Sequence, residues 1–225
     1  MPSKLAATTG ALIPERHGAA GYHYSSAGLG HEHAYLLPTV ERILNMHFQA
    51  AGNSRRLFDL GCGNGSVAAH FAAKGYDVVG VDTSTEGVEQ AQRAFPDLTI
   101  EQGSAYDDLA SRYGTFPAVI SLEVVEHVYA PRHFAQTLFN LLEPGGIAIV
   151  STPFHGYLKN IAIAVSNTFD RHVNPLWDHG HIKFWSRKTL AQLLAEARFV
   201  DVDFHRVGRI PALAKSMIAV ARKNS

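Results

Sequence analysis

From Arg55 onward short apolar runs alternate with segments of helical spacing, and that alternation limits the folds open to the chain. "RRLFDL" (55–60), "YDVVGVD" (76–82), "LTIEQGS" (98–104), "FPAVISL" (116–122) and "IAIVST" (147–152) read as strands. Between them "SVAAHFAAKG" (66–75), "STEGVEQAQRAF" (84–95) and "PRHFAQTLFNLLEPGG" (131–146) read as helices. The last has a proline near its start and a turn signal at its end. Strands separated in this way pair in parallel, with helices over both faces of the sheet. After Pro153 the rhythm breaks for some thirty residues. It resumes with the helix "SRKTLAQLLAEARF" (186–199), capped by Ser186, and closes with "VDVDFHRVGR" (200–209) and "KSMIAVARK" (215–223), two strands of a long-looped hairpin. The expectation is an α/β fold with a doubly wound, mostly parallel sheet of seven strands. Residues 1–50 read as a partly helical N-terminal cap whose clearest helix is "LLPTVERILNMHF" (36–48), ahead of a main domain at 51–225.

At 225 residues, 46% of them hydrophobic, the chain suits one domain with a sizeable core. Lys+Arg and Asp+Glu each number 20, so the formal net charge is zero and supplies no field to attract nucleic acid. The single cysteine, Cys62, rules out an internal disulfide and points to a reducing compartment, expected to be the cytoplasm. The opening "MPSKLAATTGALIPERHG" lacks an apolar core of secretory length, and no later run is long enough to span a bilayer.

The first strand ends in "FDLGCGNGS": Asp59, then Gly61, Gly63 and Gly65 at alternate positions, then a helix. Glycines at a strand tip let a ligand approach the backbone, and open α/β sheets bind ligands beyond the carboxyl ends of their strands. The spacing is G-x-G-x-G, not the G-x-G-x-x-G of dinucleotide sites. A pyrophosphate gains nothing from the carboxylate two residues ahead of the first glycine, whereas an ammonium group does. The second strand ends in Asp82, twenty-one residues after Gly61, where a carboxylate accepts hydrogen bonds from a ribose diol. The plain alternative, a strand-turn-helix corner without a ligand, accounts for the glycines but not for both acids.

"FDLGCGNG", "VVGVD", "VISLEVVEHV" and "LLEPGG" together resemble class I S-adenosylmethionine-dependent methyltransferases, from about Leu57 to Val220. Within that family "EVVEHV" and "HGHIKFWS" look like the O-methyltransferases of ubiquinone biosynthesis. The resemblance implies a Rossmann-like sheet with a lid insertion at about 154–185, S-adenosylmethionine as methyl donor, and a small-molecule acceptor hydroxyl, quinone-precursor-like phenol or sugar. It implies that Gly61 and Gly63 pack against the donor, that Asp59 holds its ammonium group and Asp82 its ribose, and that Thr83 touches the adenine edge. The family's usual acid after the third strand is replaced by Ser104 and Ala105, with Asp107 as a substitute. Leu122 offers a backbone carbonyl to the donor, with Glu123 beside it. Cys62 reads as a small loop residue rather than a nucleophile.

After the fourth strand, helical spacing would set Glu123, Glu126 and His127 at i, i+3 and i+4, on one face. Three readings compete: acids at a helix start, His127 as general base, or all three on a divalent ion such as Mg²⁺ or Mn²⁺. Resemblance to the ubiquinone-pathway enzymes supports the metal. In the insertion Leu158, Ile161, Ala162, Val165 and Phe169 share a helical stripe that reads as core-facing. The alternative is a lid or a shallow membrane contact over a lipid-linked acceptor, with Lys159 and Arg171 flanking it. His179 and His181 are further candidates for base or acceptor contact. Trp177, Phe184 and Trp185 form either an acceptor wall or core. Tyr22, His23, Tyr24, His31 and His33 belong to a cap over the donor or to a loose leader. Outside O-methylation stand three rivals: methylation at nitrogen or carbon, a donor-binding subunit without catalysis, and a nicotinamide oxidoreductase.

Overall fold

Strand β1 (Arg56–Leu60) turns Leu57 to one face of a sheet and Phe58 to the other, and both are fully buried. The computed structural model describes residues 26–51, 54–174, 176–177 and 180–224. Tyr22, His23, Tyr24 and His179, singled out above, lie outside them. The other strands are β2 (Asp77–Asp82), β3 (Thr99–Gln102), β4 (Phe116–Leu122), β5 (Leu142–Pro153), β6 (Val200–Val207) and β7 (Ser216–Arg222). They form one seven-stranded sheet in the order β3-β2-β1-β4-β5-β7-β6. Pairing is parallel from β3 through β5, and β7 runs antiparallel to both β5 and β6. In register, Asp59 lies opposite Gly80 on one side and Ile120 on the other. The winding direction reverses between β1 and β4, which opens a crevice beyond their carboxyl ends.

Helices α1 (His33–Ala51), α2 (Ser66–Ala72) and α3 (Thr85–Ala94) cover the face to which Leu57 points. Leu36, Val40 and Leu44 of α1 pack there with Phe71, Val88, Ile120 and Ile149, so α1 forms part of the domain core. The opposite face holds Phe58, Val119 and Val150, with Leu109 of α4 (Leu109–Tyr113), Phe134 and Leu138 of α5 (Pro131–Leu141), and Leu190 and Leu194 of α7 (Arg187–Glu196). Ser186 caps α7 in a reciprocal box with Thr189, as expected.

Helix α4 was not expected; its five residues are too short for a periodic signal, and its cue is local. The Asp108 side chain accepts from the Ser111 amide at 3.3 Å. The helix expected over 131–146 stops at Leu141, because Leu142 already pairs with Phe116 and Gly145 takes a left-handed φ of 77°. Helix α6 (Tyr157–Val165) exists, but its stripe does not face a core: Leu158 is 58% and Val165 83% exposed, and the buried residue is Ile163. Among the described residues no helix is long and apolar enough to cross a membrane.

Because α1 is built into the core, Leu44→Ala is expected to lower unfolding free energy by ~2–5 kcal/mol, as for a buried leucine that leaves a cavity. Urea unfolding checks this; a loss below ~1 kcal/mol, the range of surface positions, would make α1 a detachable cap.

Candidate active site

The tip of β1 is lashed to β2. Gly61 and Cys62 both donate their amides to the Val81 carbonyl, at 2.7 and 3.2 Å. Gly61 has φ 86°, and a Cβ there would lie 2.5 Å from Cγ2 of Val124. Both the left-handed backbone and the passing turn therefore demand glycine. Asp82 accepts from the Gly63 amide at 2.8 Å and from the Ser84 amide at 2.7 Å, so its carboxylate is oriented before any ligand arrives. Asn64 ties the same loop to the N-terminal segment: its Nδ2 donates to the carbonyls of Ser26 (2.7 Å) and Gly28 (3.2 Å).

These elements surround a cavity of about 800 Å³. Asp59, Gly61, Gly63, Asp82, Thr83, Ser104, Ala105, Leu122 and Glu123 all line it, as do His127 and His181. Asp59 is 2% exposed, and its Oδ2 has no hydrogen-bond partner among the described residues. Burial, reinforced by the nearby Asp82 charge, pushes its pKa up to about 8. A buried carboxylate oxygen aimed at a cavity is a seat for a cationic group, and the glycine tip beside it admits a ligand to the backbone. That combination fits the ammonium-bearing end of S-adenosylmethionine. The proposed substitute at the adenine edge, Asp107, is instead absorbed by its own turn, accepting from the Ser104 amide at 2.7 Å. Cys62 is buried, with its thiol pKa pushed well up by burial, and packs beside Gly80 as a loop residue.

The stretch after β4 departs from expectation. Glu123 has φ 56°, which breaks any helix at that point. The carbonyls a helix would need are taken by the insertion: Ile182 and Lys183 donate their amides to Glu126 O, and Trp185 donates its Nε1 to Val125 O. Glu123, Glu126 and His127 therefore do not share a helical face. Glu123 turns toward β5 and β7, where Oε1 accepts from Ser151 Oγ at 2.8 Å and Oε2 from Ser216 Oγ at 3.4 Å. Tyr35 OH lies 3.4 Å from the same Ser216 Oγ. Burial raises the Glu123 pKa to about 7.

His181 replaces Glu123 in the cluster that forms. Ligand atoms of Glu126, His127 and His181 all lie within 4.8 Å of one another. Glu126 is 1% exposed, neither oxygen has a hydrogen-bond partner among the described residues, and burial holds its pKa well above the usual range. His127 Nδ1 donates to the Gly180 carbonyl at 3.2 Å, which sets its tautomer and puts the lone pair on Nε2. His181 Nε2 stands 4.0 Å from Glu126 Oε1, and burial followed by the neighbouring His127 depresses its pKa to about 4. Trp177 meets both imidazoles, with ring centroids at 5.8 and 5.2 Å. Of the three aromatics, Trp177 lines the cavity, Trp185 belongs to the core, and Phe184 is exposed against His155. Glu32, His33, Asn64, Tyr106 and Tyr129 also line the cavity, and no sequence signal marked Glu32, Asn64, Tyr106 or Tyr129.

The raised Asp59 pKa fixes the sign of a pH effect. Between about 4 and about 8 the native state keeps a proton that the unfolded chain releases, so this group lowers stability as pH rises through that window. Asp59→Asn is expected to make the fall in urea midpoint between pH 5 and pH 8 shallower than in the parent protein. An unchanged slope would show that Asp59 is ionised in the native state.

Residues 30–203 match the family model described as a methyltransferase domain. Among curated proteins, the ubiquinone biosynthesis O-methyltransferase of Caulobacter sp. (strain K31) is 37% identical over 127 residues, 52% of this chain and 50% of the relative. The enzyme of that name from Cereibacter sphaeroides is 32% identical over 66% of this chain and 61% of its own. The chain thus spans about half to three-fifths of the length of these relatives. Among solved structures, the magnesium protoporphyrin IX methyltransferase from Synechocystis PCC 6803 superposes with TM-score 0.62 at 19% identity, covering 83% of each chain. A [4+2]-cyclase, SpnF, superposes with TM-score 0.60 at 16% identity over 83% of this chain and 82% of its own, so at this level the likeness is one of fold alone. With well over half its residues under one family description, and with a glycine tip, two acids and a cavity set at the sheet's reversal point, the chain belongs to the methyltransferase-domain family.

Proposed function

We propose that the chain transfers a methyl group from S-adenosylmethionine to a hydroxyl of a small-molecule acceptor. The observation that carries this is the cavity's division of labour. Asp59, the glycine tip and Asp82 form a seat for a cationic nucleoside at one end, and Glu126, His127 and His181 cluster at the other. The name shared by the curated relatives supports oxygen, rather than nitrogen or carbon, as the atom methylated.

When bound, the nucleoside would supply an electrophilic methyl on a sulfonium, whose transfer to an acceptor hydroxyl would release S-adenosylhomocysteine and the hydroxyl proton with no covalent enzyme intermediate. The chain's own part is to orient and to exclude water. Asp59 would take the ammonium group and Asp82 the ribose hydroxyls, while Trp177, Gly180, His181 and Ile182 line the cavity beside the acceptor. Glu126, His127 and His181 would hold a divalent ion, which would lower the pKa of an acceptor phenol from its usual ~10. Two imidazoles and one carboxylate suit a transition metal better than Mg²⁺, which prefers oxygen ligands. With no ion bound, the His127 Nε2 lone pair could instead take the acceptor's proton.

The exposed side of α6, with Leu158, Ile161 and Val165, supports a shallow contact with a membrane surface and a lipid-linked acceptor. Liposome co-sedimentation that survives Leu158→Ser with Val165→Ser would remove this part of the proposal. The buried thiol of Cys62 suits a reducing compartment such as the cytoplasm.

Methyl transfer from labelled donor to catechols tests the reaction. His181→Ala is expected to lower kcat by ~10²–10⁴-fold, the usual contribution of a positioned acid–base group, while S-adenosylhomocysteine still raises Tm. Chelator is expected to reduce the parent's rate, and added Mn²⁺ to restore it. Donor binding with no transfer to any hydroxyl acceptor, or product labelled on nitrogen, would end the oxygen assignment.

A further inference from the structure

The charged lining of the cavity as a whole is one-signed. Glu32, Asp59, Asp82 and Glu123 line it, Glu126 stands just behind His181, and among the described residues no lysine or arginine lines it. These carboxylates act on one another: the charge of Glu32 raises the pKa of Glu123, and the charges of Glu123, Glu32 and Glu126 all raise that of Tyr35. Among the described residues the cations stand off the lining, although the Lys159 charge works against the raised pKa of Glu123. Lys159 spends its Nζ on the Phe154 carbonyl at 2.8 Å, and Lys183 lies over the outer ring of Tyr129 at 5.7 Å. Glu32 differs from the other acids in its surroundings. Its side chain is 34% exposed, its neighbour His33 at 3.8 Å is occupied by the Gly30 amide, which donates to Nδ1, and it enters the cavity from the N-terminal segment that Asn64 ties across the glycine loop.

We propose that this charge selects the acceptor: the site takes hydroxyl compounds whose reacting ring is neutral or cationic and rejects rings bearing a carboxylate or phosphate, with Glu32 as a specificity-determining residue. The physical reason is desolvation without compensation. An anionic substituent entering here gives up its water, meets further anions, and finds no lysine or arginine in the described lining to replace what it lost. A neutral substituent gives up far less. An anionic tail reaching outward to Lys183 at the rim is unaffected, so the selection concerns groups carried on the reacting ring.

This rests on the proposed methyl transfer to a hydroxyl, and the test separates the two. Kd values of 3,4-dihydroxybenzamide and 3,4-dihydroxybenzoate, near isosteres of opposite character, are measured calorimetrically on the parent enzyme saturated with S-adenosylhomocysteine, and kcat/KM values with the methyl donor. The amide is expected to bind and react at least ten-fold better at pH 7.5. In Glu32→Gln that ratio is expected to shrink by three-fold or more, with the amide value as internal reference, a change that loosened structure would not produce. Equal values for the pair in the parent, benzoate preferred, or no binding of the amide, would overturn the inference. An unchanged ratio in Glu32→Gln would overturn the role of Glu32. Selective binding of the amide without transfer would support the charge selection while counting against the hydroxyl-transfer reading.

Discussion

Two carboxylates stand in the interior with unpaired oxygens, Asp59 at the tip of β1 and Glu126 under the insertion, and the rest of the structure is arranged around that constraint. An isolated charge in such surroundings is costly, so burial shifts both groups toward the protonated form, with the Asp59 pKa pushed up to about 8. Even protonated, a buried carboxyl without a partner subtracts from stability. What offsets it is the two-sided core. Phe58, Phe116, Phe71 and Phe134 are fully buried on the two faces of the sheet, each removing apolar surface worth ~1.5–3 kcal/mol. The central strands β1 and β4 are paired along both edges, and Asp59 lies near the carboxyl end of β1.

Those tips are made stiff by short local bonds rather than by bulk. The Val81 carbonyl receives two amides from the glycine loop, and Asp82 receives two more from Gly63 and Ser84. Because Asp82 is already oriented, a ribose would meet a carboxylate that has no rotamer entropy left to lose. The Asn64 side chain ties the carbonyls of Ser26 and Gly28 to the same loop.

Most of the architecture was legible because it is local. Strands buried on both faces leave unbroken apolar runs, and β4 was bounded at Phe116 and Leu122 from sequence alone. The donor end was legible for the same reason: Asp59, Gly61, Gly63 and Asp82 lie on two adjacent strand tips, and all of them line the cavity. The acceptor end was not. A helix was assumed after β4, but Glu126 O and Val125 O are captured by Ile182, Lys183 and Trp185, more than fifty residues away in sequence. Spacing rules cannot see such a capture, so Glu123 was placed in the cluster and the pairing of His181 with Glu126 was missed. The α6 stripe failed for a different reason. Periodicity shows that a helix has an apolar face but not what covers it, and Leu158 and Val165 face outward.

The same electrostatics couple the site's occupancy to the stability of the fold. In the ligand-free protein Asp59 keeps a proton, because its charge would sit buried beside that of Asp82. An ammonium group placed against it reverses the balance, making the charged form the favoured one, so binding and deprotonation proceed together. Neutralisation at the other end has the same sense: any cation shared by Glu126, His127 and His181 would relieve a carboxyl whose oxygens have no hydrogen-bond partner among the described residues. Both ends of the cavity are therefore least stable when empty, and ligands that bring positive charge tighten the structure by removing the very strain that recognises them. Sequences that replaced Asp59 or Glu126 with apolar residues would fold more firmly, but they would lose the unpaired charge that distinguishes a sulfonium nucleoside from a neutral one. The instability is a property of the recognition itself, since a carboxylate already satisfied by the protein has little left to give a ligand.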